Sequence, residues 1–409
     1  MKCRHCGAET TLTLIDLGSA PPSNAYLTTL TLRRPEKWFP LKVLVCESCW
    51  LVQAEAYSRA AELFNEEYAY FSSFSDQWLK HASNYVETMV KRFGLGSESH
   101  VVEVASNDGY LLQYVKQRGI PCLGIEPTAS TAMAAQQKGI ETIQEFFGVS
   151  LATRLASQGR QADLMAANNV LAHVPDINDF ARGFTVLLKP HGVATFEFPH
   201  VMQLIEQKQF DTIYHEHFSY LSFTTVCQIF TANGLSVFDV EELGTHGGSL
   251  RVFAQRADTG RQPVTAAVAE LHKRESMAGM NHSDYYRGFQ EEANRVKNNF
   301  LAFLLEAVKQ NKTVAGYGAA AKGNTLMNYA GIRPDLMPFV VDRNPAKQGK
   351  FMPGSRIPIV SEEHLQTVRP AYIVIIPWNI REEIMEQLSY IREWGGRFVT
   401  VIPILKSLD

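Results

Sequence analysis

At 409 residues the chain is longer than one hydrophobic core usually serves, so two or three domains are expected. With 45% hydrophobic and 20% charged residues it has an ordinary globular composition. Its formal net charge of -3 excludes the chain-wide basic field that draws a protein to a nucleic acid polymer or an anionic membrane.

The N-terminus MKCRHCGAET lacks the apolar core of a secretory signal, and no window approaches the roughly 18 unbroken apolar residues of a membrane span. The expected location is the cytoplasm. Residues 1–65 are rich in Pro, Thr and short apolar runs, with turn signals at Pro21-Pro22 and Pro35, and predict a small β-rich unit. Within it, Cys3-x-x-Cys6 and Cys46-x-x-Cys49 form two knuckles that can aim four thiolates at one tetrahedral ion. Four thiolates leave no open coordination position, so the expected zinc is structural.

Residues 66–258 begin with a helical pattern from Asp76 to Phe93. The strand-like runs VVEVAS, CLGIEP, DLMAANNVL and GVATFEF then alternate with helix-like segments. That rhythm predicts a Rossmann-like, doubly wound α/β sheet with helices on both faces. After the first strand, which ends near Glu103, come the polar turn Ser106-Asn107 and then Asp108-Gly109, expected to open a helix whose N–H groups can meet an anionic group. Glu126, followed by Pro127, ends the next strand, where an acidic side chain accepts ribose hydroxyls. A dinucleotide turn needs G-x-G-x-x-G for its pyrophosphate, and only one glycine stands here. S-adenosylmethionine has no pyrophosphate, so the methyl donor is favoured. Phe146 and Phe147 are candidates to flank its adenine, and Asn168 and Asn169 to reach its methionine portion.

The run TIYHEHFSYLS, Thr212 to Ser222, is dense in titratable groups. In an extended segment His215 and His217 would share one side and Glu216 the other. The H-E-x-x-H spacing of a zinc clip is absent, so acid–base chemistry is the better reading. His217 is the candidate base, Tyr214 the group that holds an enolate oxygen, and Glu216 the residue that orients or polarises the base.

From Gln262 to Gln310 the sequence is charged and helix-prone and predicts a bridge to another domain. Residues 259–409 then repeat the α/β rhythm with TVAGYGAAAKGNT, MPFVVDRN, AYIVIIPWN and RFVTVIP, a second Rossmann-like unit. Gly316, Gly318 and Lys322 make a natural pyrophosphate site, and Asp342 and Lys350 could meet the nucleoside and phosphates. Two other classes stay open on these residues alone: an NAD-dependent sugar-nucleotide oxidoreductase or epimerase, and a non-catalytic zinc-containing binding protein.

Taken in order, the two C-x-x-C pairs, EVASNDGYLL, GIEP, NNVLAHVPD, YHEHFSYLS, HGGSLR and GYGAAAKGNT resemble the C-methyltransferases of nucleotide-linked deoxysugar biosynthesis, over nearly the whole chain. The resemblance implies a three-domain enzyme: a zinc-binding domain (1–65), an S-adenosylmethionine-dependent methyltransferase domain (66–258), and a helical linker with a Rossmann-like sugar-nucleotide domain (259–409). It implies that the substrate is a dTDP- or GDP-linked 4-keto-6-deoxyhexose, methylated beside the ketone, at C3 in the usual family outcome. By motif, His217 would be the general base, with Tyr214, Glu216 and His173 lining the sugar. Tyr70, or Tyr68, would reach the substrate from EYAYFSS, and His246, Gly247 and Asn324 lie in motifs on the substrate side. The implied assembly is a monomer or a homodimer.

Overall fold

The computed structural model describes residues 1–57 and 71–408, so Tyr68 and Tyr70 lie outside the described residues. Three sheets organise the described residues.

The first has four strands. β1 (Leu12–Ala20) and β2 (Phe39–Val45) form an antiparallel hairpin with Leu12 opposite Val45, and β3 (Val52–Ala54) pairs with β2. The hairpin returns the chain to its start, which brings the two cysteine knuckles together. The fourth strand comes from far along the sequence. β9 (Ser219–Tyr220) pairs with β3, Val52 opposite Tyr220, so this sheet is completed by the segment that follows His217.

The central sheet runs β10-β11-β8-β7-β4-β5-β6. Its parallel part comprises β4 (Val101–Val104), β5 (Cys122–Ile125), β6 (Thr142–Ile143), β7 (Ala162–Asn168) and β8 (Leu188–Pro199). β11 (Ser249–Arg256) runs antiparallel to β8, and β10 (Leu235–Leu243) antiparallel to β11. The expected parallel sheet therefore has an antiparallel edge. All four residues of β4 are buried, as a strand covered by helices on both faces requires. The helix Asp76–Phe93 has the predicted bounds. Ser75 caps it by accepting from the Trp78 N–H, and Gly94 ends it in the left-handed conformation. Strand order reverses between β4 and β7, and that switch point opens a crevice at their carboxyl ends.

The third sheet runs β14-β13-β12-β15-β16-β17. β12 (Val314–Tyr317), β13 (Val340–Val341), β14 (Ile359–Val360), β15 (Tyr372–Ile375) and β16 (Arg397–Thr400) are parallel, and β17 (Lys406–Leu408) is antiparallel to β16.

The helix-prone stretch does more than bridge. The helix Phe289–Lys309 buries Phe289, Val296, Phe300 and Leu304 in one core that also contains Val43 and Val45 of the first sheet and Val314 and Val374 of the third. Fully burying side chains of this size is worth roughly 1.5–3 kcal/mol each, so the helix cements the two sheets. Among the described residues no helix is long and apolar enough to cross a membrane.

Candidate active site

The segment carrying the histidines is pinned by apolar neighbours on both sides. Phe210, Ile213 and Phe218 are buried and act as anchors, while His215 and His217 between them are held by backbone carbonyls. A tight turn closes with the His217 N–H donating to the Tyr214 carbonyl at 2.9 Å. That turn separates the two histidines, which an extended segment would have placed on one side. The His215 ring meets the carbonyls of Pro40 and Phe39 at 3.2 and 3.3 Å, a packing contact with the first sheet. His217 Nδ1 donates to the Thr212 carbonyl at 2.9 Å, which leaves Nε2 to carry the lone pair. The Tyr214 ring lies 4.0 Å from the His217 ring, and the His173 ring 4.6 Å.

Burial, reinforced by the neighbouring His173, holds the His217 imidazole well below its ordinary pKa. The ring is therefore neutral near pH 7 and able to accept a proton. His173, whose Nδ1 meets the Glu216 carbonyl at 2.8 Å, is pushed down to about 4 by burial. His246, in a loop at φ +54°, is also pushed down to about 4, by burial first and by the charge of Lys322 second.

Glu216 does not meet the expectation that it orients the base. Its carboxyl is buried and accepts from the Asn24 amide at 3.2 Å, so the backbone carbonyl of Thr212 sets the His217 ring instead. Adjacent residues in a turn point apart, and the acid is drawn to the first sheet's loop. Burial raises its pKa.

The third sheet closes the site from the other side. The helix Ala321–Ala330 carries Lys322, whose Nζ donates to Asn379 Oδ1 at 2.7 Å and sits 4.5 Å over the Trp378 indole. Trp378 Nε1 donates to Asp211 Oδ2 at 2.8 Å, and the indole packs so closely on Gly247 that no side chain fits there. Burial pushes Asp211 up to about 6, opposed by the charge of Lys322. Asn324 instead ties the helix to the first sheet's loop, through the Ser23 carbonyl at 2.6 Å.

The crevice of the central sheet holds the other candidates. Ala105, Asn107, Gly109 and Asn169 all adopt positive φ, which folds the chain tightly around the ends of β4 and β7. The helix after β4 begins at Leu112 rather than at Asp108-Gly109, because a turn closed by the Gly109 N–H on the Ser106 carbonyl comes first. Both oxygens of Glu126 accept backbone N–H groups, from Asn107 and from Thr128, each at 2.9 Å. Glu103 is buried and its pKa is raised well above the carboxylate range by that burial. Ser106 Oγ, Asp108 Oδ1, Asn168 Oδ1 and both polar side-chain atoms of Asn169 are buried without a hydrogen-bond partner. Pro127 follows Glu126 at the crevice rim. Phe146 is exposed, whereas Phe147 packs on Phe180 and Phe184 with ring centroids 5.6 and 5.1 Å away.

Cys3, Cys6, Cys46 and Cys49 converge, with all four Sγ atoms within 4.8 Å of one another. The Cys3–Cys49 and Cys6–Cys46 sulfur pairs are 3.6 and 3.5 Å apart. Zinc–sulfur bonds of about 2.3 Å in a tetrahedron put sulfurs about 3.8 Å apart, so this set fits a zinc ion.

Three family models match the chain: a zinc-binding domain over residues 3–64, a methyltransferase domain over 78–240 and a C-methyltransferase C-terminal domain over 244–403. The chain is 36% identical to C-methyltransferase NovU of Streptomyces niveus over 402 residues, 98% of this chain and 95% of the relative. The chain belongs to the C-methyltransferase family. Solved structures with similar folds include magnesium protoporphyrin IX methyltransferase (ChlM) of Synechocystis PCC 6803 with bound SAH, at 17% identity. It covers 44% of this chain and 83% of its own, with a TM-score of 0.36. An S-adenosylmethionine-dependent methyltransferase of Clostridium acetobutylicum ATCC 824, at 11% identity, covers 44% and 92% with a TM-score of 0.36.

This C-methyltransferase uses S-adenosylmethionine, and the unpartnered polar atoms around Ser106–Gly109 and Asn168-Asn169 are the groups a polar donor would satisfy. The C-terminal glycine turn of the C-methyltransferase differs. Gly316 N–H donates to the Phe339 carbonyl, Gly318 N–H to the Val341 carbonyl at 2.7 Å, and Ala319 N–H to Asp342 Oδ2 at 2.7 Å. The Gly316, Gly318 and Ala319 amides are thus engaged within the fold. Asp342 is spent on that cap and on the Asn344 N–H at 2.8 Å, and Lys350 sits on the turn beyond it, its N–H on the Lys347 carbonyl.

Sequence reasoning missed Asp211, Trp378 and Asn379 of the C-methyltransferase. It also missed a buried cluster at the rim of the crevice. There Glu197, at the end of β8, is contacted by His81 at 3.0 Å and Arg251 at 3.2 Å, with Trp78 stacked on His81 at 4.8 Å. The available signal was a carboxylate inside the apolar run TFEFP, too costly to bury without partners.

Proposed function

We propose that this enzyme methylates the carbon beside the ketone of a nucleoside-diphosphate 4-keto-6-deoxyhexose, at C3. The observation that carries the reading is the state of His217: neutral, with Nδ1 locked on the Thr212 carbonyl and Nε2 left to accept a proton. A ketone acidifies the adjoining C–H, and a positioned neutral imidazole is the base such a proton needs. S-adenosylmethionine supplies an electrophilic methyl group. The chain's own part is to make the sugar carbon nucleophilic, hold it against water and fix its geometry. Tyr214, against the His217 ring, and His173, whose ring is fixed by the Glu216 carbonyl, line the sugar. Residues 259–409 hold the nucleotide, thymidine- or guanosine-linked. For a dinucleotide-dependent oxidoreductase, the engaged amides of the C-terminal turn offer no phosphate cradle.

His217→Ala tests the reading. The variant is expected to bind S-adenosylmethionine with unchanged affinity by calorimetry. Exchange of the proton beside the ketone with solvent deuterium, followed by mass spectrometry, is expected to fall on the order of 10²–10⁴-fold. Retained exchange would move the base elsewhere.

A further inference from the structure

We propose that Lys322, carried by the third sheet, is a catalytic residue whose ammonium donates to the substrate's ketone oxygen as it becomes an enolate. The inference rests on the reading of His217 as base.

The glycine turn that precedes Lys322 would, as a phosphate cradle, recruit the lysine to the same phosphates. Its amides are instead engaged by Val341, Asp342 and Gly318. Lys322 looks across the junction to the central sheet. Its Nζ lies over the face of Trp378, and the edge of that indole is pressed on Gly247, next to His246. The same indole bonds to Asp211, and the Thr325 hydroxyl donates to the Ile213 carbonyl at 2.7 Å, one residue before the turn that holds Tyr214 and His217. The helix of Lys322 is thereby bolted to the segment that carries the base. Among the described residues no carboxylate lies within ion-pair distance of Nζ, and the Asn379 side chain takes one of its three protons. The Lys322 charge is the second cause, after burial, that lowers His246, and a minor one at His217. Burial lowers the Lys322 pKa and the charge of Asp211 opposes that shift, while Asp211 Oδ1 has no hydrogen-bond partner among the described residues.

The step balances on groups already named. The C–H bond breaks, its proton goes to His217 Nε2, and its electron pair forms the C=C bond as the carbonyl π pair moves onto oxygen. Lys322 meets that oxygen with an N–H and a positive charge. A cation so placed lowers the basicity of His217, yet it stabilises the enolate more, because the oxygen gains full charge only in that step.

The test measures Lys322→Met, Lys322→Arg and Asn379→Leu beside the native enzyme, using thymidine- and guanosine-diphosphate 4-keto-6-deoxyhexoses. For Lys322→Met, deuterium exchange at saturating substrate is expected to fall 10²–10³-fold, with the affinity for dTDP or GDP alone unchanged. Lys322→Arg should recover part of the loss. Asn379→Leu, which frees the ammonium from its anchor, should lose about tenfold and serves if Lys322→Met fails to fold. If exchange recovers at saturation while nucleoside diphosphate affinity drops, Lys322 is a phosphate contact and the proposal is overturned. His217→Ala separates the two readings: its loss of exchange beside normal exchange in Lys322→Met sinks the lysine alone, and normal exchange in both sinks the base as well.

Discussion

Two turns of this enzyme look alike in sequence and differ in what they do with their polar groups. Each follows a buried parallel strand and contains glycine: Ser106–Gly109 after β4, and Gly318–Ala320 after β12. In the first, the Ser106 hydroxyl, one Asp108 oxygen, the Asn168 Oδ1 and both polar atoms of the Asn169 amide stay buried and unpartnered among the described residues. In the second, successive amides are paid out to the Val341 carbonyl, the Asp342 carboxylate and the Gly318 carbonyl. Buried polar atoms without partners are costly, so a fold that keeps several in one crevice is built for a ligand that supplies them. The second turn uses its glycine to bring backbone against Pro377. Glycine in a strand–turn–helix thus marks close approach of the backbone, and only the bonding of its neighbours tells whether a ligand or the protein makes that approach.

The sharpest break would come from Gly318→Ala. Gly318 sits at φ +90°, and a Cβ there would lie 2.5 Å from Pro377 Cδ. Strain and overpacking together should cost roughly 2–4 kcal/mol, seen as a lowered thermal unfolding midpoint, with S-adenosylmethionine affinity unchanged. A loss of donor affinity without a loss of stability would erase the contrast between the turns. Asn169→Gly should do the reverse. The backbone at φ +54° suits glycine, so stability should move by no more than about 1 kcal/mol, while donor affinity falls about tenfold by calorimetry. A third break is Asp342→Asn, which keeps one acceptor oxygen but sets its NH2 against either the Ala319 or the Asn344 N–H, and also removes the charge beside Lys347 at 3.6 Å. About 1–3 kcal/mol should be lost in denaturant unfolding, and turnover with saturating substrate should not change.

Much of the fold was legible. The helix Asp76–Phe93 was legible as a helical pattern, because the Ser75 cap and Gly94 that bound it are local effects. The strands of both α/β sheets showed as unbroken apolar runs because strands covered on two faces have no polar side to alternate. The zinc ligands were legible because thiolate pairs in knuckles have little other use. Other features were not. That β9 would leave the central region to complete the first sheet depends on pairing between distant residues, Val52 with Tyr220. The turn that sends His215 to Pro40 and His217 to Thr212 is closed by one backbone bond that no pattern announces. Glu216 followed the Asn24 amide rather than its neighbour's ring for the same reason. Trp378, Asn379 and Asp211 each looked like ordinary loop or helix-end residues until the third sheet was docked.

By itself the sequence determined the strands of the two α/β sheets, the four-thiolate site, and the clustering of histidine and tyrosine in one short run, since these depend on period, spacing and residue chemistry along short stretches. The tertiary structure decided which nitrogen of His217 donates to Thr212, which glycine turn keeps its polar groups open, and that Lys322 meets Asn379 and Trp378. Those outcomes turn on which carbonyl, amide or ring each polar group meets after distant segments pack together, and a buried polar group takes whichever partner the packing leaves within reach.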